Sequence, residues 1–381
     1  MIKSIKVALL AIVALAFTAT AYADFTFVSW GGAYTMSQQK GYIDTWKPVV
    51  DGTTKVSVEN YNGGLGEVKA QVESGNVTWD VVDILPVDAI NGCDEGLLEV
   101  LDTSDWQKSP DGKSFNDSIP FNGKTDVSES TGTISPCAAP QIWWTYVVIY
   151  DPKAFPGKKP KKMKDFFDVE KFPGKRGVHT WPQAVLEMAL VADGVKPSKV
   201  NSVLQGEGGT DRAFAKLDEL KGHVVHWSAG AQPLELVKSG EVVMSIVYNG
   251  RAGAAVLSEG ASFDYIWHGQ VLDGDWIAIP KGSKNKAEAI EFLKHATTCE
   301  SQAEQAKYIT YAPMRSCGFD IIKKHEPWFP RPGKPNIEIL PHMPNTKKRL
   351  KNSVLTDPVW WADHNAELKE QWSAWMAHNK K

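Results

Sequence analysis

The chain has 381 residues, of which 43% are hydrophobic, enough apolar material for packed cores. Because a typical domain has about 150 residues, we expect two lobes rather than one. The formal net charge of −3 argues against a nucleic-acid partner, whose phosphates require a basic surface.

Residues 1–23 have the pattern of an export signal. Lys3 and Lys6 precede an apolar run over residues 7–17, and Ala-Tyr-Ala at 21–23 is typical of a signal-peptidase cleavage site. The run is shorter than the ~20 apolar residues that a membrane-spanning helix needs. We therefore expect cleavage before Asp24 and a mature protein that works in the periplasm.

Strands and helices alternate after this segment. The apolar patterns predict strands at residues 25–29, 55–61 and 80–85, and helices at residues 35–46 and 65–72. This order is typical of an α/β fold, in which ligands bind at the carboxyl ends of parallel strands. Trp30, Gly31 and Gly32 follow the first strand directly, so we expect them near a ligand.

The second half of the chain repeats this organisation. Strands are predicted at 147–150, 242–248, 263–267 and 276–280, and helices at 182–193, 214–220 and 288–296. In the first of these helices Thr180 is the expected N-cap, Pro182 is an early helical residue and Gly194 ends the helix. A last helix carries Trp361, Leu368, Trp372 and Trp375 on what we interpret as a packing face. A second α/β unit is therefore expected.

Four cysteines in an exported chain favour disulfide bonds, and four allow three pairings. From their positions in the predicted elements we expect Cys93 to pair with Cys137 and Cys299 with Cys317. No two cysteines have the spacing of a zinc or redox site, and His223 and His226 have no cysteine close in sequence. We expect neither a metal nor a cofactor.

Several segments resemble, in the same order, the periplasmic spermidine/putrescine-binding proteins of bacterial ABC importers. They include FTFVSWGGAY, WDVVDILPVDAI, PQIWWTYVVIYDPKAF, GEVVMSIVYNGRA, DGDWIAIPKGSKNKAEAIEFLKHAT and YITYAPM. The resemblance implies a two-lobed periplasmic binding protein fold of type II-like architecture, with a ligand cleft between lobes that crossover strands join. It also implies delivery of the ligand to a membrane permease. We expect the protein to be a monomer.

The implied crossings near Trp143, Asp273 and Pro313 divide the chain. Lobe 1 then comprises residues 24–143 and 275–312, and lobe 2 comprises residues 147–272 and 315–381.

The resemblance also implies ligand contacts. Trp30, Tyr34 and Tyr248 match aromatic residues of the family, and Asp275 matches an acid; together they would replace the hydration of an ammonium group. The acidic pair that the family carries after its GKRG-like turn is absent, and Trp181 lies in that segment instead. Asp83, Glu187 or Asp273 are candidate substitutes. A polyamine or small diamine is the leading ligand on this basis.

Arg251 indicates a different ligand. A guanidinium group after a strand-to-turn Asn-Gly is able to clamp a carboxylate or sulfonate, which favours a zwitterionic or carboxylated amine. Alternatively, Arg251 pairs with an acid of its own lobe. Gln232, in the turn at 230–233, is a weaker candidate contact.

An exported enzyme is the competing class. The sequence has no Gly-x-Ser-x-Gly, His-Glu-x-x-His or complete Gly-x-Gly-x-x-Gly motif. A structural or adhesive protein would show repeats, and none is found. We therefore expect a binding protein without catalytic activity.

Overall fold

The computed structural model describes residues 23–119 and 134–378. The expected signal segment lies outside these ranges, apart from its last residue, Ala23. Within the described ranges, none of the helices combines the length and the apolarity that a membrane crossing requires.

The described strands form one large mixed sheet and a small hairpin-like sheet. They are β1 (Ala23–Ser29), β2 (Thr54–Asn60), β3 (Val81–Ile84), β4 (Ala138–Tyr150), β5 (Arg176–His179), β6 (Val224–Trp227), β7 (Met244–Tyr248), β8 (Asp264–Ala278), β9 (Ala312–Pro313), β10 (Phe329–Arg331), β11 (Lys334–Ile337) and β12 (Val354–Leu355). The large sheet has the order β2-β1-β3-β8-β4-β7-β5-β6, with β12 beside β8 and β9 beside β4, while β10 pairs with β11.

Helices cover this sheet. They are α1 (Gly32–Gln38), α2 (Lys47–Val50), α3 (Gly66–Ser74), α4 (Pro86–Asp94), α5 (Met163–Phe167), α6 (Val185–Ala192), α7 (Val200–Leu204), α8 (Gly209–Leu217), α9 (Gln232–Lys238), α10 (Asn249–Glu259), α11 (Lys286–Ala296), α12 (Cys299–Gln305), α13 (Ser316–His325), α14 (Lys347–Leu350) and α15 (Pro358–His378). A π-helical turn, Gln39–Ile43, continues α1.

Two long strands join the halves of the sheet. β4 and β8 pair antiparallel from Ala138 opposite Ala278 to Tyr150 opposite Asp264. β1 pairs in parallel with β2 and β3 on one side, and β5 pairs in parallel with β6 and β7 on the other. The α/β fold with two lobes and crossover strands is therefore confirmed.

The three expected crossings lie side by side in this sheet. Trp143 on β4 is opposite Ala312, and its neighbour Trp144 is opposite Asp273 on β8. Pro313 is opposite Ile142. We propose that the chain passes between lobes at these positions.

Two large apolar cores flank the crossing. The first contains Phe25 and Phe292, and the second contains Leu190, Trp227 and Trp372. The division drawn from the sequence places all of residues 315–381 in lobe 2. In the structure, however, Ile322, Phe329, Ile339 and Met343 are buried in the first core, whereas Val354 and helix α15 belong to the second. We propose that lobe 1 includes the chain as far as residue 343.

Two elements differ from the sequence expectation, and both differences shape the cleft. β8 is one continuous strand rather than two, because the polar stretch between the expected strands pairs with β4. This stretch carries Gln270, Asp273 and Asp275, all buried. Polar residues lower the apolar signal of a strand even when the sheet buries them.

Helix α6 begins at Val185, not at the expected Pro182. Thr180 extends the β5–β6 pairing, since its N–H donates to the carbonyl of Trp227 at 3.0 Å. Ala184, with φ of 67°, then turns the chain into the helix. The segment at 180–184 is therefore irregular, and it carries Trp181 and Gln183 to the cleft.

The structure contains both predicted disulfides, Cys93–Cys137 and Cys299–Cys317. The first links α4 to the residue before β4, and the second links α12 to α13.

Candidate functional site

A cavity of about 90 Å³ lies where the carboxyl ends of the parallel strands from both lobes meet. Lobe 1 supplies residues after β1, β2 and β3, lobe 2 supplies residues after β5, β6 and β7, and the crossover strands supply the floor. The aromatic rings lining it belong to Trp30, Tyr34, Tyr61, Trp144, Tyr146, His179, Trp181, Tyr248 and Tyr311. The remaining lining residues are Asn62, Leu85, Gln183, Ser228, Ala229, Gly230, Arg251 and Asp275.

Three aromatic residues form one wall of this cavity. Tyr248 stacks on Tyr146 with ring centroids 4.7 Å apart, and their hydroxyl oxygens are 2.9 Å apart. Trp144 meets both rings edge-on at 5.1 and 5.2 Å. These contacts hold the three rings in fixed orientations relative to one another.

Trp30 and Trp181 form the opposite part of the lining. Their centroids are 6.3 Å apart, and Trp30 also packs on Tyr61 at 5.0 Å. The loop after β2 passes close to both indoles at Gly63, where φ is 80°. A Cβ on Gly63 would lie 2.4 Å from the Trp30 ring and 3.3 Å from Trp181, so this position requires glycine.

Asp275 is the acidic group of the cavity. It is 5% exposed, and Trp144 Nε1 donates to its Oδ1 at 3.3 Å. Burial raises the pKa of Asp275 well above its ordinary value, and the nearby carboxylate of Asp83 raises it further. Within the described residues Asp275 has no ion-pair partner. It is therefore an acid that a cationic ligand would hold in the ionised form.

Asp83, another predicted contact, lies behind the lining. Its carboxylate accepts hydrogen bonds from Trp30 Nε1 at 3.1 Å, from Gln141 Nε2 at 3.0 Å and from Gln38 Nε2. Burial raises the pKa of Asp83 to about 6, although these hydrogen bonds act to lower it. In this structure Asp83 orients the Trp30 indole and does not line the cavity.

Arg251 is the basic group of the cavity. It lies in the first turn of α10 in lobe 2, is 8% exposed and reaches across to lobe 1. Nη1 donates to the Gly31 carbonyl at 3.1 Å, and Nη2 donates to the Trp30 carbonyl at 3.2 Å. A Cβ on Gly230 would lie 2.5 Å from Nε, so this glycine makes room for the side chain.

No carboxylate in the described part of the chain forms an ion pair with Arg251. In the structure, therefore, Arg251 is not paired with an acid of its own lobe. Its charge is available to an anionic group of a ligand.

The other candidate side chains have partners of their own. Gln232 lies outside the lining, because its Oε1 accepts from the N–H groups of Ser228 and Ala229 at 2.8 Å each. Asp273 accepts from Gln183 Nε2 at 2.8 Å, and Glu187 accepts from Trp361 Nε1 at 2.7 Å. Neither acid lines the cavity, and both support it from behind.

Sequence reasoning missed several lining residues, notably Trp144, Tyr146, His179 and Tyr311. Trp144 and Tyr146 are two residues apart on β4, so they share a face of the strand. This two-residue spacing, next to the lobe crossing expected near Trp143, is the sequence feature that indicates both residues as cleft residues. His179 Nδ1 accepts from the Trp181 N–H at 2.8 Å. Burial lowers its pKa to about 3, so His179 is neutral and adds no cation to the site.

The described residues contain no group of three or more His, Cys, Asp or Glu side chains placed to hold a metal ion. The chemistry available in the cavity is therefore recognition by aromatic faces, one acid and one guanidinium group.

Comparison with known proteins agrees with this geometry. Residues 47–317 match the bacterial extracellular solute-binding protein family. A gamma-aminobutyric acid-binding protein of Pseudomonas aeruginosa is 34% identical over 371 residues, covering 97% of this chain and 96% of that protein.

Solved structures give the same result. The binding protein MotA of Agrobacterium tumefaciens B6, in complex with glucopine, has a TM-score of 0.77 at 29% identity and covers 92% of this chain and 99% of that one. A GABA receptor structure has a TM-score of 0.72 at 30% identity, and the match covers 92% of this chain and 97% of that one. The resemblance to solute-binding proteins of ABC importers is thus confirmed at the family level, although these relatives are not named for polyamines. They are binding proteins rather than enzymes, and the chain belongs to the bacterial extracellular solute-binding protein family.

Proposed function

We propose that this protein captures a small zwitterion, an ω-amino acid such as 4-aminobutyrate, and delivers it to an ABC permease. One observation carries the proposal: Asp275 and Arg251 line the same aromatic cavity, and within the described residues neither charge has an ion-pair partner. A ligand with an ammonium and a carboxylate group would pair with both.

The ammonium end would lie at Asp275. Removing an ammonium group from water costs several kcal/mol unless other groups replace its hydration. The carboxylate of Asp275 and the surrounding aromatic faces supply that replacement. Trp30 and Tyr248, which come from the two lobes, would flank the aliphatic part of the ligand.

The carboxylate end would lie at Arg251. The two hydrogen bonds to backbone carbonyls hold the guanidinium group in one orientation and leave other N–H donors for the ligand. A charge-assisted bond to a carboxylate in a buried site is stronger than one between neutral groups. The same contacts join the lobes, so ligand binding and lobe closure would favour each other.

A polyamine has less support. Its second ammonium group would face the Arg251 guanidinium in a cavity with little water, where like charges repel strongly. The motifs that resemble polyamine-binding proteins concern the fold and the aromatic lining. The two GABA-binding relatives favour a zwitterion.

A thermal-shift screen tests the proposal. The ligands are 4-aminobutyrate, diamines, triamines, α-amino acids, betaines and sulfonates, each assayed with the mature chain. We expect the largest rise in melting temperature with an ω-amino acid, because a ligand that binds only the folded state stabilises it. A rise with diamines and none with amino acids would refute the zwitterion assignment.

A further inference from the structure

A second cavity adjoins the ligand cavity. Its volume is about 190 Å³. Four residues line both cavities: Asn62, Leu85, Trp181 and Gln183. The remaining walls come from Gly63, Gly64 and Pro182, from the first turn of α4 and from α15. The second cavity is therefore separated from the ligand only by residues that already line the ligand site.

The second cavity contains a buried acid. Asp88 on α4 is 8% exposed, and burial raises its pKa to about 6. The ammonium of Lys369 and the backbone N–H of Gly64 act on that pKa in the opposite direction, so both lie near the carboxylate. Asn365 and Lys369 bring polar groups from α15 to the same space. The lining therefore presents one buried carboxylate, for which an incoming ammonium group would compete with Lys369.

The wall between the cavities is made of side chains from segments outside the helices and strands. Trp181 and Gln183 lie in the irregular segment between β5 and α6, not in a paired strand. Lys369 Nζ is 5.6 Å from the centroid of the Trp181 ring, on α15. Gly63 lies against both indoles, and its lack of a side chain allows this close approach. The two cavities are therefore separated by side chains and not by the sheet.

We propose that the second cavity is an extension subsite, which takes an amine-bearing substituent on the ligand nitrogen and binds its ammonium through Asp88. This inference rests on the proposed function, since the ligand cavity holds the amino-acid part. The substituent belongs on nitrogen because a substituted carboxylate would lose the charge that Arg251 binds, whereas a secondary ammonium keeps its charge and two N–H donors for Asp275. The ligand class is an N-aminoalkyl ω-amino acid.

Calorimetric titrations test the subsite. The probes are 4-aminobutyrate, N-(3-aminopropyl)-4-aminobutyrate, the uncharged-tail analogue N-butyl-4-aminobutyrate, and spermidine, which has the same aminopropyl group without a carboxylate. The proteins are wild type, Asp88→Asn, Lys369→Ala and the matched control Asp94→Asn, an exposed acid on the same helix.

We expect Asp88→Asn to reduce the affinity for the aminopropyl compound about tenfold or more. This is the loss typical of removing a hydrogen bond to a charged group. Its affinity for 4-aminobutyrate and for the butyl analogue should not change, which also shows that the variant is folded. Lys369→Ala should increase the affinity for the aminopropyl compound, because this substitution removes a cation that competes for Asp88. Asp94→Asn should match wild type with every probe.

The outcomes separate this inference from the proposed function. If 4-aminobutyrate binds but the aminopropyl compound does not, or binds without dependence on Asp88, the subsite is wrong and the proposed function stands. If only spermidine binds, with dependence on Asp88, the subsite stands and the zwitterion assignment is wrong. If no probe binds, both are wrong.

Discussion

Asp275 and Arg251 give the cavity its chemical character. Each is almost fully buried, and each has hydrogen bonds to neutral groups but no ion-pair partner among the described residues. Buried charges in proteins are normally paired. The two groups therefore have their natural partners in a ligand of opposite charge at each end.

Removing either charge should weaken the binding of 4-aminobutyrate. We expect Asp275→Asn and Arg251→Gln each to reduce affinity by about tenfold to hundredfold, since a hydrogen bond to a charged group contributes about 1.5–3 kcal/mol. Arg251→Gln should cause the larger loss of affinity, because it also removes contacts between the lobes. Isothermal titration calorimetry measures both.

The exposed residues Asp363 and Arg212 provide matched controls. Asp363→Asn and Arg212→Gln should bind like wild type. Unchanged affinity in Asp275→Asn alongside complete loss in Arg251→Gln would indicate a site for an anion only.

The affinity for 4-aminobutyrate should rise with pH between pH 5 and pH 8. The ammonium binds the ionised form of Asp275, whose pKa lies well above its ordinary value because of burial and of Asp83. Below that raised pKa the site must release a proton to bind the ligand, so affinity increases up to about tenfold per pH unit and then levels off. The ligand's own ammonium and carboxylate groups do not titrate in this range.

The other titratable groups near Asp275 either also increase the affinity for the ammonium group as pH rises or do not affect it. Asp83, with a pKa of about 6, and Asp273, with a pKa of about 7, both become anionic over this range. His179, whose pKa burial lowers to about 3, stays neutral over the same range. Titrations at four pH values with wild type and Asp275→Asn check this. A wild-type affinity that is higher at pH 5 than at pH 8 would contradict the assignment of the ammonium end.

Much of the lining could be predicted from the sequence. The cavity lining includes the predicted residues Trp30, Tyr34, Trp181, Tyr248, Arg251 and Asp275. The apolar pattern places Trp30 and Arg251 after predicted strands. The family resemblance implied Tyr34, Tyr248 and Asp275 and indicated the segment that holds Trp181. Asp83 and Gln232 do not. Asp83 is held by Gln38 and Gln141, which are 45 and 58 residues away, and such distant partners are invisible in sequence.

Helix α15 packs against α6 through a buried hydrogen bond between Trp361 and Glu187. The second carboxylate oxygen of Glu187 is buried without a hydrogen bond. Burial raises the pKa of Glu187 to about 7, and its charge also raises that of Asp273. The contact between these two helices therefore depends on the protonation state of Glu187.

Glu187→Gln should stabilise the protein at pH 8 and have little effect at pH 5. The folded state binds this proton more tightly than the unfolded state does, so wild type loses stability as pH rises from about 4.5 to about 7. The upper limit of that loss is about 3 kcal/mol for a shift of this size. Gln retains the acceptor for Trp361 and carries no charge.

Thermal unfolding at pH 5 and pH 8 measures this effect. Glu241→Gln, at an exposed position, is the control and should leave the melting temperature unchanged. A Glu187→Gln protein that is less stable than wild type at pH 8 would show that the ionised carboxylate is needed.

At the scale of elements, the sequence predicted those with strong apolar periodicity, such as β1, β7 and α11. It failed where tertiary contacts override local preference. β8 is continuous because β4 pairs with its polar middle, and α6 starts late because β6 extends the pairing at Thr180. Both failures fall at the cleft, where polar and irregular segments carry ligand contacts.

Across the whole molecule, contacts between the lobes bridge the cavity. Arg251 of α10 binds carbonyls that follow β1, and Trp181 packs on Trp30. A ligand site bridged from both sides is consistent with the bacterial extracellular solute-binding protein family, to which the chain belongs.

The most direct test of a zwitterion site is a calorimetric comparison of 4-aminobutyrate with 1,4-diaminobutane and glutarate, which have similar length but two like charges. We predict that wild type binds 4-aminobutyrate at least about tenfold more tightly than either, because only it matches both Asp275 and Arg251. Equal or tighter binding of 1,4-diaminobutane would contradict the assignment of Arg251 to a carboxylate and return the site to the polyamines.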